Sequence, residues 1–160
     1  MYRHNLLRVN YTTYDVRRAQ DTLNPRTDHR DIMLLSINQD MVHEYRYARI
    51  IGIFHINAMY SGPQRRGDYN THPLQFLWVR WFEVVDAATV GHGWSSHGLD
   101  MLRFTRIDQP GAFGFVNPID VLRACHIVPR FLHGRRHTDR KGLSVCARDA
   151  DDWTNYFVNR

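Results

Sequence analysis

Cysteine is scarce in this chain. Cys125 and Cys146 are the only two, too few for the disulfide framework that staples small secreted domains, so a reduced, intracellular protein is expected. Long apolar runs are also missing. No segment approaches the roughly 20 residues that a membrane helix needs, and Met1-Tyr2-Arg3-His4-Asn5 lacks the charged-then-apolar pattern of a secretory leader. No membrane contact is expected. Glutamate occurs only at Glu44 and Glu83, which leaves few carboxylates for general acid–base work, and there is no Gly-rich phosphate cradle. Gly91-His92-Gly93-Trp94-Ser95-Ser96-His97-Gly98 places serine and histidine in a Gly-rich turn, but not at the Gly-x-Ser-x-Gly spacing of a nucleophile elbow. It reads as a loop. Among the ten histidines, His133 and His137 stand four apart, with Cys125, His126 and Cys146 around them. Zinc is usually held by close ligand pairs such as C-x-x-C; none exists here, and Gly134 undermines a helix beneath the two histidines. The expectation is a non-enzyme without cofactor, metal or small-molecule substrate.

Lysine is rarer still. Lys141 stands alone against twenty arginines, in a chain of net charge +5. Arginine suits planar, bidentate contact with phosphate or carboxylate. Basic charge concentrates where Arg123, Arg130, Arg135, Arg136, Arg140 and Lys141 face only Asp139, and such a cluster permits contact with nucleic acid. A solvated loop is the plainer account of the same pattern.

What the chain has in plenty is aromatic and β-branched residues. Arg46-Tyr47-Ala48-Arg49-Ile50-Ile51-Gly52-Ile53-Phe54-His55 and Leu74-Gln75-Phe76-Leu77-Trp78-Val79-Arg80-Trp81-Phe82-Glu83 both suit a pleated surface. The polar stretch Ser61-Gly62-Pro63-Gln64-Arg65-Arg66-Gly67-Asp68 links them, predicting a long hairpin. Gly52 in mid-strand predicts a bend or bulge, and the even positions Ala48, Ile50, Gly52 and Phe54 should face the core. Strands are also expected at Leu6–Tyr14, Ile32–Ile37, Leu99–Ile107 and Tyr156–Val158. Asn117-Pro118 is a helix-start signature, with room for about two turns before Pro129, or for one turn feeding a strand. Arg17–Arg30 reads as loop or turn because of its charge and Asn24-Pro25, and residues 130–152 read as the most mobile segment.

These pieces describe one all-β domain of 160 residues, large enough to bury roughly 70% of its unfolded surface. Its expected parts are an N-terminal strand and loop extension (1–30), a barrel (31–129), a basic polar loop (130–152) and a closing strand (153–160).

The order and content of Tyr47–Phe54, Phe76–Phe82, Val121–Pro129 and Tyr156–Val158 resemble a bromo-adjacent homology (BAH) domain, over about residues 30 to 160. In that family an "A-R-I" strand, a "V-R-W-F/Y" strand, a small turn leading into a "K-C-x-V" strand and a late aromatic strand follow in this order. The resemblance implies a small SH3-like β-barrel with one short helix and long polar loops. More closely, Leu7–Arg18, Asn24-Pro25-Arg26-Thr27, Gly111–Pro118 and Asp151-Asp152-Trp153 resemble a region near the C-terminus of transposase-like proteins of mushroom-forming fungi, from CACTA-type (Plavaka/KDZ-like) elements. That likeness implies a nuclear accessory module travelling with a DNA-handling enzyme whose Asp/Asp/Glu nuclease core lies elsewhere.

BAH domains recognise histone tails, nucleosomes or other proteins. Their methyl-lysine cage positions fall here on Arg46, Trp81 and Glu83, of which Trp81 alone matches. Tyr47, Trp81 and Trp94 are the candidate ligand-binding aromatics, able to hold a cation over their faces. Three functions are in view: a non-catalytic module contacting chromatin, histone or another protein; a nucleic-acid binder using the Arg123–Lys141 segment; and a domain that packs on a parent transposase.

Overall fold

The computed structural model describes residues 1–12, 17–36, 43–59, 71–85 and 99–159. Eleven strands dominate it: β1 (Tyr2–His4), β2 (Leu7–Thr12), β3 (Arg18–Leu23), β4 (Asp31–Leu35), β5 (Tyr45–Ala58), β6 (His72–Val84), β7 (Met101–Phe104), β8 (Phe113–Val116), β9 (Val121–Ala124), β10 (His126–Pro129) and β11 (Tyr156–Asn159). Helix among the described residues is confined to three-residue 3₁₀ turns at Pro118–Asp120, Phe131–His133 and Asp149–Asp151. The first is the start signalled by Asn117-Pro118. Asn117 Oδ1 accepts the Ile119 amide at 3.2 Å, and Val121 then returns the chain to strand, so one turn forms rather than two.

The expected all-β barrel is what forms. β5 and β6 pair antiparallel from Ala48↔Trp81 to Ala58↔His72. Both are longer than their neighbours, so each serves two partners in turn. β4 pairs the first part of β5 and β1 the later part; β8 pairs the middle of β6 and β7 its end. The sheet runs β10-β11-β7-β6-β5-β4-β9. Its two outer strands, β9 and β10, are consecutive in the chain and separated only by Cys125, whose amide donates to Asp31 O at 3.0 Å. The cylinder is thus nearly closed, its two outer strands joined through the backbone at Cys125 rather than by a ladder, and β11 reaches its slot between β10 and β7 last.

Two apolar clusters lie on the two faces of this sheet. Inside the barrel are Met33, Tyr47, Phe82, Leu102, Phe104, Ile127, Tyr156 and Val158. On the outer face, Ile32, Leu34, Ala48, Ile50, Ile53, Leu77, Val79 and Val116 pack with Val9 and Leu23. Val9 and Leu23 belong to the hairpin β2–β3, registered from Leu7↔Leu23 to Thr12↔Arg18. Asp21 Oδ2 ties that hairpin to the barrel by accepting the Ala124 amide at 2.8 Å.

Three expectations need correction. Arg17–Arg30 is not all loop, since β3 occupies Arg18–Leu23; only alternate residues need be apolar when one face of a strand is solvated. Phe54 does not point into the core. The bulge expected near Gly52 is present between Ile50 and Gly52, and the extra residue reverses the strand's parity, so that Ile53 is buried and Phe54 is half-buried on the opposite face. Residues 130–152 are pinned to the barrel end. The Thr154 amide donates to Gly134 O at 3.1 Å and the Arg136 amide to Asp152 O at 2.9 Å. The Asp149 carboxylate accepts the Leu143 and Ser144 amides at 2.7 and 2.8 Å.

Candidate functional site

The barrel-facing side of β5 and β6 continues past the barrel's end. Along it, cross-strand register lines up Phe54 with Phe76, and Trp78 with Phe115. Phe54 stacks on Phe76 with ring centroids 5.6 Å apart, Phe115 meets the edge of Phe76 at 5.4 Å, and Trp78 lies 6.0 Å from Phe113. These rings are half-buried except Phe115, which is 73% exposed. Gly52 makes the arrangement possible, because a side chain there would collide with the Phe54 ring.

Arg49 and Arg80, paired across β5 and β6, mark where this open face meets the closed interior. The Arg49 guanidinium makes a bidentate pair with Asp31 at 2.7 and 2.9 Å and lies 5.0 Å from the Phe104 ring. Burial pulls its pKa down, but the charge and hydrogen bonds of Asp31 more than offset this and raise it. Arg80 is buried, 2.7 Å from Asp152 and 3.9 Å from the Phe104 ring, and its Nε and Nη1 have no hydrogen-bond acceptor. Burial raises the Asp152 carboxyl, against the pull of Arg80.

Beside the aromatic face opens a cleft of about 390 Å³. Arg3, Arg26, Arg30, Arg49 and Arg148 line it together with Phe54 and Trp78, and no carboxylate is among its described lining residues. Asn24 shapes the Arg26 side, accepting the Arg26 amide on Oδ1 at 2.9 Å. Arg148 presents itself from a left-handed backbone, φ 53°, a conformation that non-glycine residues adopt at a cost and that clusters at functional positions. Arg30 is held by the Ile50 amide donating to its carbonyl at 2.8 Å. Its Nε is buried without a partner, and burial, then the Arg49 charge, lower its pKa. A neighbouring recess of about 350 Å³ shares Arg30, Arg49 and Arg148 but is faced by Asp28, Asp31, Asp151 and Asp152. The acids therefore gather on one side of these arginines and leave the other side cationic.

The candidates that the sequence suggests are dispersed. Tyr47 is 1% exposed and its hydroxyl donates to Asp100 Oδ2 at 3.1 Å. Trp81 lies on the opposite face of the sheet, against the outer cluster and under the Arg46 guanidinium at 4.0 Å. Tyr47 and Trp81 therefore cannot share an aromatic cage, because successive residues of a strand point to opposite sides and these two fall on opposite sides by register. Trp94 and its Gly-rich loop lie outside the described residues, as does the 61–68 connection.

The basic segment is also divided. Arg123 lies 4.9 Å from the Tyr11 ring on the hairpin. Arg130 lies 5.7 Å from the Phe157 ring and 3.2 Å from Met101 Sδ. Arg135 pairs with Asp151 at 3.2 Å, and Arg136 donates to Phe104 O at 3.3 Å. Arg140 and Lys141 remain exposed, without a side-chain partner among the described residues. His133 accepts a hydrogen bond from Asn155. Among the described residues, no group of three or more His, Cys, Asp or Glu side chains could hold a metal ion, and no helix is long and apolar enough to cross a membrane.

Sequence alone does not single out Arg30 and Arg148, because nothing local marks residues so distant in the chain as neighbours. Arg49 does carry a signal: a guanidinium directly preceding the apolar run Ile50–Phe54. No protein-family model, curated protein or solved structure matches the chain.

Proposed function

We propose that this barrel is a non-catalytic interaction module of a transposase-like, nuclear protein, and that it contacts chromatin through the open end of its sheet. The observation that carries this reading is the cleft itself, lined by two aromatic side chains and by five arginines, of which Arg49 is paired with Asp31 and the other four have no carboxylate among the described lining. The buried carboxylates support it from the other side. Asp31, Asp149 and Asp152 are each committed to a guanidinium or to backbone amides, so their role is to brace arginines and loops. Charge of one sign, grouped on one face, favours an anionic partner.

The test is a pull-down of nucleosomes, free duplex DNA and histone peptides on the immobilised chain at two salt concentrations. Retention of nucleosomes at low salt, reduced at high salt as counterion release requires and reduced again by Arg26→Glu with Arg148→Glu, is the expected result. Retention of none of the three ligands would reject the reading. The packing of the domain on a parent enzyme is the second reading, favoured by the exposed Phe131, Leu132, Leu143 and Val145 of the 130–152 strap.

A further inference from the structure

We infer that the cleft between the aromatic face and the Arg30–Arg148 rim takes a single strand of nucleic acid, with an unstacked base against Phe54 and Trp78 and the backbone phosphates on the arginines. This rests on the reading of the module as a chromatin contact and names the chemistry of what it holds. Single-stranded nucleic acid is bound by a cationic groove that follows the backbone, joined to aromatic faces on which bases stack. Both halves of that requirement meet here. Arg3, Arg26 and Arg148 are exposed at the rim, and Arg30 has a buried Nε lacking an acceptor. Phe54 and Trp78 line the same recess, with the Arg3 guanidinium 6.0 Å from the Phe54 ring centroid, where it could hold the phosphate of a base stacked there.

A duplex offers its phosphates outward and keeps its bases stacked, so it can use the rim but not the rings. A recess of about 390 Å³ is a concave pocket rather than a flat basic patch, and it falls in the size range of clefts that enclose small groups. Of the four acids at the neighbouring recess, Asp31 is held by Arg49, Asp151 by Arg135 and Asp152 by Arg80. Asp28 acts on Arg30, and none of the four lines the cleft that Arg26 and Arg148 rim. Duplex-first recognition would instead centre on the strap that carries Arg140 and Lys141.

Cys146 lines the same cleft and is exposed, whereas Cys125 is half-buried with a thiol pKa raised by burial and by Asp31. The chain therefore carries a built-in reporter. A thiol reagent should modify Cys146 first, since the thiolate is the reacting species, and an occupant of the cleft should slow that reaction.

The experiment measures anisotropy of labelled oligothymidine, oligouridine and a duplex of equal length, each about a dozen nucleotides, from about 50 mM salt upward. Tighter binding of the single strands than of the duplex is expected, with the thymidine and uridine arms separating DNA from RNA as the source. Arg26→Glu with Arg148→Glu should weaken single-strand binding on the order of tenfold or more and flatten the log–log salt dependence by about 0.7 for each phosphate left unneutralised. Both residues are exposed, and unchanged thermal melting would show that the variant folds. Arg140→Glu with Lys141→Glu should leave the affinity within about twofold, since it touches no group that a strand in the cleft would reach. The single strand should also slow alkylation of Cys146. A preference for duplex, or loss of binding on reversing Arg140 and Lys141 but not Arg26 and Arg148, would overturn the inference. Nucleosome retention without single-strand binding would sink this occupant and leave the module reading standing; retention of neither would end both.

Discussion

Arg80 is the side chain on which the barrel's interior most depends. It sits at 1% exposure with Asp152 at 2%, so the two charges depend mainly on each other. Removing one partner of such a pair leaves the other charge buried alone, which costs about 3–5 kcal/mol. Arg80→Met is therefore expected to lower unfolding free energy by about that amount in urea titration. Arg80→Met combined with Asp152→Leu should recover most of the loss, because apolar residues of similar volume can replace a buried pair at little cost. Equal destabilisation by the single and double variants would show that the pair is not the source of the effect.

Tyr156 gives the interior a pH dependence. Burial, then the nearby Asp152 charge, push its phenol from 10.0 up to about 12. The folded state thus holds the proton more tightly than the unfolded chain. The sign follows: this contribution to stability is complete below pH 10 and is lost as the pH rises towards about 12. Alkaline denaturation should be shallower over that window in Tyr156→Phe. That variant should also lose a little stability at neutral pH, because the hydroxyl accepts the Trp153 amide at 2.9 Å.

At the level of elements, the seam strand β11 matters most. It pairs β10 through His126↔Asn159 to Pro129↔Tyr156 and meets β7 through Tyr156↔Leu102 and Phe157↔Met101. Its register leaves both neighbours as unpaired edges if it is displaced, and bare edges recruit other chains. Val158 is buried in the barrel and its amide donates to Asp100 O at 3.2 Å. Val158→Pro removes that donor and the side chain's packing together. Light scattering should then register self-association; a monodisperse monomer of undiminished stability would contradict the role given to this strand.

Elements also explain what can be foreseen from sequence. β5 and β6 are legible because they are rich in β-branched and aromatic residues, and Gly52 announces its bulge. The consequence of the bulge is not legible, since a one-residue insertion flips every later side chain and moves Phe54 off the face that carries Ala48 and Ile50. β3 escapes notice because Arg18, Gln20 and Thr22 face solvent and only Leu23 is fully buried. Of the candidate site, the aromatic content can be seen but not its sidedness. Tyr47 and Trp81 look equivalent until register puts them on opposite faces. The cationic rim is hidden for a different reason: Arg3, Arg30 and Arg148 come together only through the closure of the cylinder, which no local pattern encodes.

For the whole molecule, that closure separates two chemistries. Within the barrel, arginines are braced by acids and rings; beyond its mouth, arginines and rings face outward with the acids drawn to one side. The same two long strands carry both, so the open face is held by the rigidity of the closed one.

The late arrival of β11 has a consequence for synthesis. While translation is still in progress, the nascent chain can assemble the hairpin and the central ribbons, but the gap between β7 and β10 stays vacant until residues 156–159 have left the ribosome tunnel. Any premature stop upstream of that point would release a gaping half-cylinder to the cell's quality-control machinery, its cationic mouth not yet assembled.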